Sequence, residues 1–311
     1  MRYIISLALT SLTLAAVLAA VLAAPARAEA PRVVTDIPPV HALVAQVMGD
    51  LGTPTLLLTK GASEHDFQLR PSQAQALSDA GLVVWIGPEL TPWLDRALAG
   101  LGDAPSLPLL DAPETGRRTF SADGAHMHDD HDDHAEASDA DPHAWLDPAN
   151  AKIWLDLIAA KLAQLDPENA ATYTANAAQA QTRIDALDAR IASQLAPVKD
   201  RPVVVYHDAY GYFAAHYGLQ IIGSVALGDA TAPGAAKLSA LQGTLASGQA
   251  TCLFPEAQHD PALALQLAEG TPLRLGAALD PVGSTLPPGP NAYDALITGL
   301  ATAITDCLAQ N

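Results

Sequence analysis

The chain has 311 residues, half of them apolar, and a formal charge of −18. That apolar share can fill a sizeable core, and the length suits two domains or one large one. The acidity excludes a nucleic-acid binder, which needs a basic footprint, and suits the attraction of cations.

The first 28 residues, MRYIISLALTSLTLAAVLAAVLAAPARA, hold one early arginine, a long apolar run and a close on Ala26-Arg27-Ala28. This is the layout of a cleaved secretory signal, with small residues at the last and third-last positions. The run from Tyr3 to Ala24 is also long enough to span a bilayer, so a membrane anchor is the alternative. The small-residue site favours cleavage, and no cysteine lies near it to carry a lipid. The mature chain is expected to start near Glu29, in the periplasm of a Gram-negative cell. Loss of Arg2 and Arg27 takes its charge from −18 to −20.

RVVTDI then reads as a short strand, and ALVAQVMG as a helix with Leu43, Val44 and Val47 on one side. TPTLLLTKG is a second strand, Thr55 to Thr59. PSQAQALSDAG is a helix stopped at Gly81, LVVWIG a third strand, and PELTPWLDRALAG another helix. Short alternating strands and helices mean a parallel sheet with crossover helices. The tract HMHDDHDDH, His126 to His134, interrupts this pattern with four histidines and four aspartates. Such a stretch has no apolar periodicity and is expected to be a disordered loop, over 119–141. Its histidines, His126, His128, His131 and His134, can chelate a cation without a preformed shell. A plain solvated loop is the alternative.

Asp147-Pro148 opens a helix with Ile153, Leu157 and Leu162 along one face. Asp166-Pro167 opens a longer one, to about Leu195, with Ile184, Leu187, Ile191 and Leu195 as a narrow apolar stripe. A helix so long and thinly apolar is expected to lie across two lobes as a strut, and Pro197 stops it. Strand-like RPVVVYHD, LQIIGSVAL, TCLFPEA and PLRLGAALD follow. The fold class is therefore α/β, with two parallel-sheet lobes joined by one long helix. Residues 1–28 are the signal, 29–165 the first lobe, 166–197 the linking helix and 198–311 the second lobe. No internal repeat stands out. The only two cysteines, Cys252 and Cys307, read as one structural disulfide in an oxidising compartment. Two buried thiols or two thiolate metal ligands are the alternatives.

The chemistry lies at strand ends, where open α/β sheets bind ligands. His65 follows the second strand, His207 follows VVVY, Asp280 follows LGAAL, and His143 sits in DPHAWLDP. Any one of them alone is an ordinary loop residue. Four together, in an acidic secreted chain with a His/Asp tract, point to a metal. Imidazole nitrogens with at most one carboxylate oxygen are zinc-like coordination. His41 reads as structural, His216 and His259 as surface or helix positions, and Glu89 and Glu256 have no assigned role. A metallohydrolase could use the same histidines with Glu64 as base, but HExxH, Gly-x-Ser-x-Gly and phosphate-loop motifs are missing from the sequence, so no enzyme is expected.

GASEHDFQLRPSQAQAL, the His/Asp tract, HAWLDP, YHDAYGYFAAHYGL and LDPVG together resemble the periplasmic zinc-binding subunit of a bacterial ABC importer, the ZnuA type. The resemblance covers nearly the whole mature chain, both cysteines included. It implies two small α/β lobes bridged by a rigid helix, with a metal site in the cleft between them. It implies that His65, His143 and His207 bind Zn²⁺. The fourth ligand is implied to be Glu64, a water, or the aspartate at Asp280. Related manganese and iron binders carry a carboxylate where His207 stands, so histidine there favours zinc. The implied partners are the zinc ion and a membrane permease with its cytoplasmic ATPase, with the chain a monomer. A manganese or iron binder, and a free periplasmic zinc store, are the neighbouring readings.

Overall fold

Val33, Val34 and Thr35 are β-branched, suit a pleated backbone, and form β1 (Val33–Thr35), buried at every position. The computed structural model describes residues 29–58, 60–65, 67–101, 105–120, 140–226 and 234–309. The signal segment 1–28 lies outside them. Helix α1 (Pro38–Met48) starts on two prolines, which are preset for a first turn that has no N–H partners anyway. It is buried nearly all round and ends at Gly49, whose φ of 54° suits glycine. A Cβ there would stand 2.7 Å from the Asn176 amide, which donates to Val47 O at 3.0 Å.

β2 (Thr55–Leu56), α2 (Pro71–Ser78), β3 (Leu82–Trp85), α3 (Pro92–Leu101) and β4 (Ser106–Pro108) complete the first sheet. Its order is β2-β1-β3-β4, all parallel. The second strand is shorter than the expected Thr55 to Thr59; Leu57 and Leu58 continue the backbone bonding to Thr35 O and Asp36 O without strand geometry. The region 119–141, expected to be loop throughout, is pinned at its base. β5 (Arg118–Thr119) and β6 (Ala140–Asp141) pair antiparallel, Arg118 opposite Asp141.

Asp147 caps α4 (Pro148–Leu165) by accepting from Ala149 N at 2.8 Å. The face of α4 that turns fully inward is Ala151, Trp154, Leu155, Ile158, Ala159 and Leu162. Of the expected face, Leu162 is buried, while Ile153 and Leu157 are only partly so. The strut begins with a 3₁₀ turn, Pro167–Asn169, and continues as α5 (Ala170–Leu195). Its 26 residues span about 39 Å at 1.5 Å each. All four stripe residues are buried, with Tyr173, Ala177 and Ala180 extending the stripe. α5 packs on α1 and α4 from the first half of the chain.

The second sheet is built from β7 (Val203–Val205), β8 (Ile221–Ser224), β9 (Cys252–Phe254) and β10 (Arg274–Leu275), with α6 (Gly211–Tyr217), α7 (Ala235–Ala246), α8 (Ala262–Ala268) and α9 (Ala292–Ala309). Its order is β10-β9-β7-β8, all parallel. Read from the other edge, this is the order of the first sheet. The two lobes thus repeat one topology that the sequence conceals. α9 closes the arrangement by packing on α5 and α1. Cys252 and Cys307 form a disulfide with Cα atoms 6.4 Å apart, tying α9 to the interior strand β9.

The halves also meet directly. Trp145 Nε1 donates to Pro281 O at 2.8 Å, Tyr293 Oη to Trp145 O at 2.9 Å, and Gln46 Nε2 to Pro290 O at 2.8 Å. His216, expected at the surface or on a helix, lies exposed on α6 and acts as a clasp. Its ring lies 2.9 Å from Asp147 on one nitrogen and 2.9 Å from Asp188 on the other, joining α6, the cap of α4 and α5. The Asp147 hydrogen bond, helped by Asp188, raises its pKa from 6.5 to about 9 against the opposing pull of burial. A raised histidine pKa stabilises the fold in full below 6.5, and that contribution is lost as the pH climbs to about 9. Stability of the parent is therefore expected to fall across pH 6.5–9 more than that of His216→Gln. Urea unfolding at several pH values measures it, and parallel profiles would remove the clasp from the account.

Candidate metal centre

In each sheet the chain leaves the first-formed strand toward one side and then crosses to the other. The gap this makes at the carboxyl ends is where open α/β sheets bind ligands. In the second sheet the gap lies between β7 and β9, and it is flanked by His207 and Glu256. In the first sheet it lies between β1 and β3. There the Asp36 carboxylate accepts from Ile37 N at 2.8 Å and Ile86 N at 2.9 Å. Burial pushes the Asp36 pKa up to about 7.

His65 reaches the same space from the loop after β2. That loop is held by Trp93 on α3, whose Nε1 donates to Glu64 O at 2.8 Å, and by Phe67 against the Trp93 ring at 5.1 Å. His143 arrives from the turn between β6 and α4, with its ring wholly buried. Three of the residues singled out in the sequence thus converge. The ring centroids of His65, His143 and His207 lie 5.0–5.6 Å apart. One nitrogen from each lies within 4.8 Å of the others. A single ion with nitrogen bonds near 2.0–2.1 Å can bridge three such atoms after small adjustments. His143 Nε2 is buried with no hydrogen-bond partner, a costly state for a polar atom that a metal bond relieves.

The electrostatics suit a cation. Burial, then the neighbouring His207 and His143, hold the His65 pKa well below 6.5, which favours the neutral, ligating ring. Glu64 is buried beside it, with Oε1 3.7 Å from His65 Nε2, and burial pushes its pKa up to about 7. Glu256, which the sequence leaves without a role, borders the cluster at His207. Its Oε2 lies 3.6 Å from His207 Nδ1 and 3.2 Å from Tyr210 Oη, and its Oε1 lies 3.4 Å from His259 Nε2. Burial pushes its pKa up, but His207 and His259 outweigh that and bring it to about 2. Only a contact across two strand ends could have revealed it, and the sequence spacing of 49 residues holds no such signal.

Other expected residues lie elsewhere. Asp280 is outside the cluster; its carboxylate accepts from Ser284 N, Thr285 N, Thr285 Oγ1 and Gln258 Nε2 at 2.7–3.0 Å and so caps its own loop. His41 is structural, with Nε2 3.2 Å from Pro54 O. His259, expected at a surface or helix position, is partly buried in the turn after β9, stacks on Tyr206 with centroids 4.6 Å apart and pairs with Glu256. Glu89 accepts from Arg117 at 3.3 Å. His126, His128, His131 and His134 lie outside the described residues.

The family model for the zinc-uptake complex component A, periplasmic (ZnuA), matches residues 33–307. The chain belongs to the ZnuA family. The high-affinity zinc uptake system protein ZnuA of Paracoccus denitrificans is 50% identical, over 97% of this chain and 99% of that protein. Its namesake in Brucella suis is 37% identical over 89% and 92%. A crystal structure of a ZnuA deletion mutant with zinc bound superposes with a TM-score of 0.75 at 25% identity, covering 91% of this chain and 99% of that one. ZnuA proteins are thus periplasmic zinc-uptake components, and this member carries three clustered imidazoles from the segments after β2, β6 and β7.

Proposed function

We propose that this chain captures Zn²⁺ in the periplasm with His65, His143 and His207 and delivers it to the permease of an ABC importer. The observation that carries the reading is the convergence of three histidine nitrogens within 4.8 Å. Two come from the first half of the chain and one from the second. Three neutral imidazoles and one oxygen make a zinc-like, near-tetrahedral shell. Glu64 is the nearest carboxylate from the expected set for the fourth position, or a water takes it. Asp280 is less suited, since its oxygens are already engaged. Residues 1–28 act as the cleaved signal. Residues 29–165 and 198–311 are the lobes on the 166–197 strut, and the chain acts as a monomer. Ligands from both lobes allow release, because a small displacement of one lobe opens the shell.

The His126–His134 tract is assigned an auxiliary, weaker collecting role. Ordering a flexible chain costs about 1–2 kcal/mol per residue fixed, so it competes poorly with ligands already placed. Isothermal titration of the parent and of a form lacking 125–135, with zinc and with manganese, tests the whole reading. Both forms are expected to keep one tight zinc site that outcompetes manganese, and the deletion to lose the weaker stoichiometry. Loss of the tight site on deletion would put the tract in the primary shell. A preference for manganese would overturn the cargo.

A further inference from the structure

We propose that Asp141 is a positioning residue for metal capture, fixing His143 in the tautomer that presents bare Nε2 to the ion. This rests on the zinc site proposed above. Asp141 Oδ1 lies 2.7 Å from His143 Nδ1 and also accepts from His143 N at 3.0 Å. A carboxylate oxygen without a proton only accepts, so the facing ring nitrogen must carry the hydrogen. In a neutral ring the other nitrogen, Nε2, is then bare, and it is the buried atom without a partner. A ring protonated on Nε2 instead would have to lose or shift that proton before binding. Metal-binding imidazoles generally need such an outer partner, and its loss typically lowers affinity 10- to 100-fold.

Asp141 is itself gripped from the opposite lobe. The backbone of Gly211 comes so close that a Cβ there would stand 2.9 Å from Asp141 Oδ2. Tyr212 Oη donates to Asp141 O at 3.1 Å and accepts from Arg118 N at 2.8 Å, which braces both strands of the β5–β6 pair. Gly211 and Tyr212 open α6, four residues beyond His207. The element that follows one histidine therefore steadies the partner of another, so the two lobes must be docked for His143 to be held ready.

Histidine-labelled ¹⁵N NMR of the metal-free protein, with zinc affinity by chelator competition, tests this on the parent, Asp141→Ser and Asp141→Asn. Serine can keep the local turn through His143 N but is too short to hold the ring. Asparagine keeps an acceptor for both. The parent is expected to show His143 protonated on Nδ1 only. Asp141→Ser is expected to shift the ring toward the Nε2–H form and to bind zinc at least tenfold more weakly. Asp141→Asn is expected to stay within about threefold of the parent. A metal-free parent with the proton on Nε2 overturns the proposal whatever the variants do. So does an Asp141→Ser protein with parental tautomer and affinity, which would leave Asp141 as a turn residue only. A parent with the expected tautomer but no zinc binding overturns the site assignment instead.

Discussion

Replacing His143 with alanine is expected to weaken zinc binding about 100-fold or more. Removing an outer partner of a metal-binding histidine costs 10- to 100-fold, so removing the ligand itself cannot cost less. At 1.4 kcal/mol per tenfold, that is about 2.8 kcal/mol or more. His143 is the most enclosed of the three, with no exposed surface. The substitution also strands Asp141 without its ring partner. His65→Ala and His207→Ala are expected to cost at least tenfold each. Chelator competition on folded protein, checked by circular dichroism, gives the answer. Parental affinity in all three variants would place the ion elsewhere.

The three histidines were legible in the sequence because each follows a strand or turn that hydrophobic patterning can locate. VVV before His207 and the β2 segment before His65 are short apolar runs with an evident end. The long helix was legible for the same reason: its stripe at Ile184, Leu187, Ile191 and Leu195 keeps a helical spacing, and all four are buried. What stayed hidden depends on pairing across elements. Glu256 meets His207 only because β9 lies beside β7. His216 is the exposed helix residue expected of it, but its two aspartates, the cap of α4 and a residue of α5, stand 69 and 28 positions away and left no local signal. Asp280 follows LGAAL at the sheet end, as a ligand would, but bonds from Ser284, Thr285 and Gln258, which spacing does not show, engage its carboxylate. The spacing of Ile153, Leu157 and Leu162 marks a helix, but spacing alone does not say that the neighbouring face with Trp154, Leu155 and Ile158 turns further inward. The shared strand order of the two sheets was invisible since no residue pattern repeats with it.

Replacing both cysteines with alanine is expected to lower stability by about 4 kcal/mol while leaving zinc affinity near the parental value. The bond closes a loop of 55 residues, and restricting a loop of that size in the unfolded chain is worth about 4 kcal/mol on the chain-entropy account. Alanine is the better test than serine, because Cys252 and Cys307 are both buried and a serine hydroxyl would add an unsatisfied polar group. For a fold of this size the loss translates into a melting temperature lower by roughly 10 °C. The site should survive, because His65 and His143 stand in the other lobe and His207 is held by β7 between its neighbours β8 and β9. Ligand binding gives a second handle. Zinc at about 1,000 times its dissociation constant stabilises the folded form by about 4 kcal/mol, close to what the missing bond removes. Saturating zinc should then return the variant to roughly the melting temperature of the metal-free parent. Calorimetry of both proteins, with and without zinc, makes the comparison, and thiol titration of the unfolded, unreduced parent should find no free thiol. A variant that melts with the parent would mean that α9 is held to β9 by packing alone.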